Sequence, residues 1–145
     1  MRSGTQTILI VDDEAEDLAT MSAALRALGF RVFESSNYDD AMGTFDLHRG
    51  EIDLLLSDIS LPGNNGCELA RALLKVKPDL KVLFVSGYAG AEVVRFYGLS
   101  IADAHFLRKP FTATALVARA RDVLSAAPIA LAEATPPLAQ VNTAQ

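Results

Sequence analysis

The sequence predicts an α/β fold in which a parallel β-sheet is covered by helices on both faces. Its apolar runs lack polar alternation, which is typical of strands that are buried on both sides. These runs alternate five times with segments whose apolar residues have helical spacing. Because parallel strands are joined by right-handed crossovers, this alternation predicts a doubly wound sheet.

The first strand is predicted at Thr7–Val11, a β-branched apolar run that stops at an acidic pair. The helix that follows should end at Gly29, where a left-handed C-cap residue is expected. A short second strand is predicted at Arg31–Glu34. The first helix is expected to bury one face, formed by Leu18, Met21, Leu25 and Leu28.

The second helix is predicted from Tyr38 to about His48. Asn37 is a good N-cap for it, and the acids Asp39 and Asp40 favour its positive end. The third strand follows at Leu54–Leu56, an apolar run that ends in an acid at Asp58.

The third helix is marked by Leu69, Ala72 and Leu73 and should end near Lys77, because a proline follows. The later elements are a strand at Lys81–Val85, a short helix at Ala91–Tyr97, a strand at Ala104–Arg108 and a last helix capped by Thr112. The inner side of that helix should carry Leu116, Val117, Ala120, Val123 and Leu124.

Residues 1–127 are predicted to form one domain, and the Ala/Pro-rich tail at 128–145 is predicted to be disordered. The net charge of −5 argues against nucleic-acid binding, which needs a basic face. The single cysteine, Cys67, excludes an internal disulfide and favours a reducing compartment. With no apolar run of membrane-spanning length, we expect a cytoplasmic protein that does not contact membranes.

Polar side chains follow the central strands at the points where those strands end. In a parallel sheet these points share one edge, and ligands bind outside it. Three carboxylates that lie close together favour a cation, and a set of oxygen donors without His or Cys favours Mg²⁺. With a lysine and a hydroxyl nearby, the set suits phosphoryl transfer with Asp58 as nucleophile. The residues concerned are Asp12, Asp13, Asp58, Ser86 and Lys109.

These residues, together with Pro62, Gly66, Gly87 and Pro110-Phe111, resemble the receiver domain of bacterial two-component response regulators. The resemblance covers about Thr7 to Ala126. It implies a flavodoxin-like (βα)5 fold with strand order 2-1-3-4-5.

The resemblance also implies roles for individual residues. Asp58 would accept a phosphoryl group from a histidine kinase or a histidine phosphotransfer protein, and a downstream protein target would respond. Lys109 would pair with the phosphoryl group, Ser86 would bond to it, and the Lys109–Pro110 peptide bond is often cis in this family. The Mg²⁺ ligands would be Asp12, Asp13, Asp58 and the backbone carbonyl of Ser60.

Three further positions are implied to tune or transmit the signal. Phe106 is either a switch residue that works by packing or an ordinary core phenylalanine. Tyr88, two residues past Ser86, would shield the acyl phosphate from water, and Ser60 would also tune its lifetime. His48 and His105 lack a partner at ligand spacing and are expected to be structural, and Cys67 is expected to be inert.

Several alternatives remain open at this stage. The chain could act as a stand-alone receiver, which the short stretch after the last helix favours, as a C-terminal fragment of a hybrid histidine kinase, or as a phosphorelay intermediate. It would catalyse only its own phosphorylation and dephosphorylation. An aspartate-nucleophile phosphatase is disfavoured, since Asp58-Ile59-Ser60 has no second acid. A pseudo-receiver usually lacks one of the five residues that this chain has.

Overall fold

The computed structural model describes residues 5–48, 50–87, 99–100, 105–126 and 130–131. Within these residues strands and helices alternate along the chain as far as Ser86. The elements are β1 Thr7–Val11, α1 Ala15–Arg26, β2 Arg31–Ser35, α2 Tyr38–His48, β3 Leu54–Asp58, α3 Gly66–Val76, β4 Lys81–Ser86, β5 Leu99–Ser100, β6 Phe106–Arg108, α4 Ala113–Ser125 and β7 Ala130–Leu131.

Five of the strands form one parallel sheet in the order β2-β1-β3-β4-β6. Since β6 is the fifth strand of this sheet along the chain, the predicted order 2-1-3-4-5 is confirmed. The parallel register places Asp58 opposite Val85 and Ser86 opposite Arg108. The carboxyl ends of these strands therefore meet at one edge.

The sheet separates two hydrophobic layers. On one face, α2 and α3 pack through residues such as Phe45 and Leu73 against Leu9 and Leu55. On the other face, α1 and α4 cover the neighbouring strand residues, including Ile8. Every residue of β1 and β3 is buried, which explains why both strands lack polar alternation.

The predicted elements that fall on described residues agree with the structure to within a few residues, and one prediction of side-chain burial is wrong. Leu28, expected on the buried face of α1, is 46% exposed. The reason is that α1 ends at Arg26 and the chain turns through Gly29, whose φ is +94°. The predicted left-handed residue at Gly29 is therefore confirmed, and it turns Leu28 away from the core.

Smaller differences concern the ends of individual strands. β2 and β4 each extend one residue beyond their predicted ends, and β6 begins at Phe106 rather than Ala104, which is outside the described residues. The helix predicted at Ala91–Tyr97 also lies outside them.

Most of the predicted tail likewise lies outside the described residues. The described part of the tail is β7, which pairs antiparallel with β5 in a separate two-stranded sheet. No helix in the described part of the chain combines the length and apolar character needed to cross a bilayer.

Candidate functional site

Three carboxylates meet at the carboxyl edge of the central strands. Asp58 is the last residue of β3, while Asp12 and Asp13 directly follow the adjacent strand β1. Each offers an oxygen within 4.8 Å of the others. Asp12 is completely buried, Asp58 is 7% exposed and Asp13 is exposed, so the group opens to solvent on one side.

Asp12 and Asp13 are not the N-cap of α1. Its N-cap is Glu14, whose side chain makes no capping bond. Instead, the Glu14 backbone N–H donates to Asp12 Oδ1 at 2.9 Å. Asp12 therefore orders the turn between β1 and α1, and its second oxygen remains for the site.

Lys109 reaches the carboxylates from the segment between β6 and α4. Its Nζ donates to Asp58 Oδ2 at 2.9 Å and to Asp12 Oδ2 at 3.0 Å. The Lys109 backbone N–H donates to the Ser86 carbonyl at 2.8 Å, and the Lys109–Pro110 peptide bond is cis, as the resemblance implied. The ammonium thus offsets part of the negative charge of two carboxylates that burial would otherwise penalise.

A fourth acid, Asp17, was missed by the sequence analysis. It accepts a hydrogen bond from Lys109 Nζ at 2.9 Å, across 92 positions of sequence. The available signal was its place in the first turn of α1, because that turn starts beside the strand edge. An acid there also suits the positive end of the helix.

Backbone contacts hold the Asp58 carboxylate and its surroundings in place. The Ser60 N–H donates to Asp58 Oδ1 at 2.9 Å, so both Asp58 oxygens are engaged. α3 starts very close by, since a Cβ built on Gly66 would lie 2.1 Å from the Asp58 carbonyl oxygen. Only glycine fits at this approach.

The electrostatics follow from burial and from the shared ammonium. Burial raises the pKa of Asp12, although the Glu14 N–H and Lys109 oppose the shift. Burial alone would lower the pKa of Lys109, but its bonds to Asp17, Asp58 and Asp12 outweigh it and raise that pKa. The bond from Lys109 lowers the pKa of Asp17, and the hydrogen bond with Asp17 raises the pKa of Glu14.

The remaining predicted site residues that the structure describes differ in burial. Ser86 is buried at the end of β4, next to the residue that pairs with Asp58. Phe106 is half-buried in β6 and packs against the layer formed by α2 and α3. Ser60 is exposed, and Tyr88 lies outside the described residues.

The two histidines and the cysteine are not members of the carboxylate group. His48 stacks on Phe33, with ring centroids 4.3 Å apart, and His105 is buried beside β6. Cys67 is completely buried, and burial raises the pKa of its thiol to about 12. These environments are those of structural residues.

The donor set fits a hard divalent cation. Asp12, Asp13 and Asp58 supply only oxygen, and two of the three are ordered by backbone N–H groups. Mg²⁺ typically takes one or two carboxylates and keeps several waters, so the opening on the Asp13 side is suitable.

A comparison with known families identifies the domain. The model of the response regulator receiver domain matches residues 8–121. The chain belongs to this family. Receiver domains bind Mg²⁺ at an acidic pocket, interact with histidine kinases and downstream effector domains, and are generally not enzymes. This chain has a group of three carboxylates, formed by Asp12, Asp13 and Asp58.

Curated proteins with related sequences include both regulators and a kinase. The chain is 37% identical over 121 residues to the aerobic respiration control protein ArcA of Escherichia coli, covering 83% of this chain and 49% of that protein. It is 36% identical over 126 residues to the sensor kinase CckA of Brucella abortus, covering 84% of this chain and 13% of that protein. The chain thus spans half or less of these relatives.

Solved structures support the same fold. A response regulator receiver protein from Sinorhizobium medicae matches with a TM-score of 0.70 and 27% identity, covering 84% of this chain and 96% of that one. NtrX from Brucella abortus matches with a TM-score of 0.72 and 26% identity, covering 83% of this chain and 27% of that one.

Proposed function

We propose that this receiver domain accepts a phosphoryl group on Asp58 in a Mg²⁺-dependent reaction. The observation that carries the proposal is the bond from Lys109 Nζ to Asp58 Oδ2, at the point where the carboxylates of Asp12 and Asp13 converge. A nucleophilic carboxylate, a cation site and an amine are the parts that phosphoryl transfer requires.

Each side chain has a separate task in this reaction. The Ser60 N–H holds Asp58 Oδ1, which fixes the plane of the attacking carboxylate. Lys109, which bonds to Asp58 Oδ2, would donate to an oxygen of the incoming phosphoryl group, and Ser86 would supply a hydroxyl from the neighbouring strand. Asp12, Asp13, Asp58 and the backbone carbonyl of Ser60 would hold Mg²⁺. The bound ion would neutralise charge on the phosphoryl group.

The donor in the proposed reaction is a phosphohistidine of a histidine kinase or a phosphotransfer protein. An Asp58 carboxylate oxygen forms the new O–P bond, the N–P bond of the donor breaks, and the imidazole leaves with the electron pair and takes up a proton. The similarity to both a regulator and a sensor kinase leaves the receiver's place open, as a switch for a partner or as a relay in a multistep phosphorelay.

The output is a shift between two conformations. Phosphorylation adds charge and acceptor oxygens at Asp58, so Ser86 and Lys109 reorganise toward it. Lys109 is joined to β4 through the Ser86 carbonyl, and this contact provides a route to β6 and Phe106. A cytoplasmic partner that prefers one conformation would then read the state.

Intact-mass analysis tests the proposal. The wild-type protein is incubated with Mg²⁺ and a small acyl-phosphate donor and compared with Asp58→Asn. Asp39→Asn, which removes one exposed acid at the start of α2, is the matched control for charge. We expect one phosphoryl increment in wild type and Asp39→Asn, and none in Asp58→Asn.

Two outcomes contradict the proposal. An unmodified wild type would indicate a pseudo-receiver that signals without phosphorylation. Continuous release of phosphate from unrelated phosphomonoesters would instead indicate an aspartate-nucleophile phosphatase.

Lifetimes of the phosphorylated wild type and Tyr88→Ala then test the shielding role predicted for Tyr88, and equal lifetimes would exclude it.

A further inference from the structure

The ammonium of Lys109 has three donors, and in the structure it has three carboxylate partners. Its Nζ lies 2.9 Å from Asp58 Oδ2, 3.0 Å from Asp12 Oδ2 and 2.9 Å from Asp17 Oδ2. The first two partners belong to the group that can share a metal ion. Asp17 belongs to α1.

Lys109 cannot keep all three of these hydrogen bonds when a metal ion is bound at the site. A cation bound by Asp12 and Asp58 competes with the ammonium for the carboxylates of these two residues. The Lys109 side chain is only 20% exposed, so an ammonium that lost these partners would remain partly desolvated. It needs another carboxylate within reach, and Asp17 already provides one.

We propose that Asp17 is a positioning residue that retains the Lys109 ammonium when Asp12 and Asp58 turn to the metal, and so keeps Lys109 beside the phosphoryl group. This inference rests on the proposed function. Asp17, Thr20 and Lys109 line a cavity of about 360 Å³, so there is free volume beside the ammonium.

A specific consequence follows for the affinity of the metal. Without the Asp17 carboxylate, the charged partners left to Lys109 are Asp12 and Asp58, and the ammonium stays on the two carboxylates that the cation requires. Asp17→Asn should therefore weaken Mg²⁺ binding, and it should do so through Lys109.

Calorimetric titration with Mg²⁺ at constant ionic strength measures this effect in a double-mutant cycle. The variants are Asp17→Asn, Lys109→Gln and the pair of substitutions together. Glu16→Gln is the matched control, because Glu16 is an exposed acid in the same turn of α1. It reports what the loss of one nearby charge does by itself.

We expect Asp17→Asn to weaken Mg²⁺ binding by about threefold or more, and by less than about twofold when Lys109 is already Gln. Glu16→Gln should change the dissociation constant by less than about twofold. Phosphorylation of Asp17→Asn by the acyl-phosphate donor should also be slower at saturating Mg²⁺.

Equal effects of Asp17→Asn in both Lys109 backgrounds would overturn the proposal, because they would indicate only long-range charge. An effect no larger than that of Glu16→Gln would overturn it as well, and this comparison decides the matter if Lys109→Gln does not fold. Failure of the wild type to be phosphorylated would contradict the proposed function alone, since Mg²⁺ binding is measured without a donor.

Discussion

Gly66→Ala should damage the fold and the site together, although it adds only a methyl group to a helix. The Cβ would lie 2.1 Å from the Asp58 carbonyl oxygen, 2.9 Å from Ser57 Oγ and 3.0 Å from the Asp58 carbonyl carbon. Moving the Cβ from 2.1 Å to even 3.0 Å from that oxygen requires a shift of about 0.9 Å. The obstacle is backbone, which cannot rotate aside as a side chain can.

The cost follows from that geometry. Overpacking a well-packed site costs about 1–3 kcal/mol, and backbone obstruction puts this substitution at the upper end. The Gly66 N–H also donates to the Ile59 carbonyl at 2.8 Å, and loss of that bond adds about 1 kcal/mol. We therefore expect the free energy of unfolding to fall by about 3–4 kcal/mol.

The same shift should slow the chemistry, because the Asp58 backbone has to move. A displacement of about 1 Å at a reacting group can reduce a rate by about 100-fold. Urea denaturation measures stability, and intact-mass analysis over time with an acyl-phosphate donor measures phosphorylation. We expect a lower urea midpoint and a phosphorylation rate reduced by at least about tenfold.

Gly43→Ala is the matched control. Gly43 is exposed in the middle of α2, and a Cβ there meets nothing within 4 Å. Alanine should stabilise that helix by about 0.5–1 kcal/mol and leave phosphorylation unchanged. If Gly66→Ala is as stable as wild type and is phosphorylated at the same rate, the contact between α3 and Asp58 does not have the importance assigned here.

Three further outcomes are expected. Burial raises the pKa of Cys67 to about 12, with a smaller contribution from Glu68. Iodoacetamide at about pH 8 should therefore leave the thiol of the native protein unmodified and alkylate it in urea. Rapid alkylation of the native protein would contradict this. Burial, with a smaller effect of Lys81, lowers the pKa of His105, so protonation favours the unfolded state as the pH falls below 6.5. The free energy of unfolding should therefore decrease from about pH 7 to about pH 5, and less steeply in His105→Gln; an identical slope would refute the assignment. Asn65→Ala removes the side-chain oxygen that accepts from the Glu68 N–H. The free energy of unfolding, measured by urea denaturation, should fall by about 1–2 kcal/mol. An unchanged urea midpoint would show that the capping box does not stabilise α3.

The architecture was predictable because its signals are local. A strand buried on both faces must be apolar at successive positions, as Leu54–Leu56 are, and helices must repeat their apolar residues with helical spacing. Parallel pairing then brings the strand ends to one edge. The meeting of Asp12, Asp58 and Lys109 follows from that topology, and the structure shows it.

Other features depend on how the helices pack against the sheet. The sequence indicated an acid-rich turn after β1, but the distance from Asp17 to Lys109 depends on the position of α1 relative to the segment between β6 and α4. Likewise, Gly66 was recognised by family resemblance, and its physical reason appeared only with α3 in place against Asp58. The exposure of Leu28 depended on where α1 stopped.

The sequence by itself therefore determined the parallel α/β architecture and the chemical set at the strand ends, because periodicity and residue type are properties of the chain, while the strand order came from the family resemblance. Only the tertiary structure decided which acids share the Lys109 ammonium and where the backbone leaves no room for a Cβ. Hydrogen bonds and steric exclusion act over about 3 Å, and sequence separation contains no information at that scale.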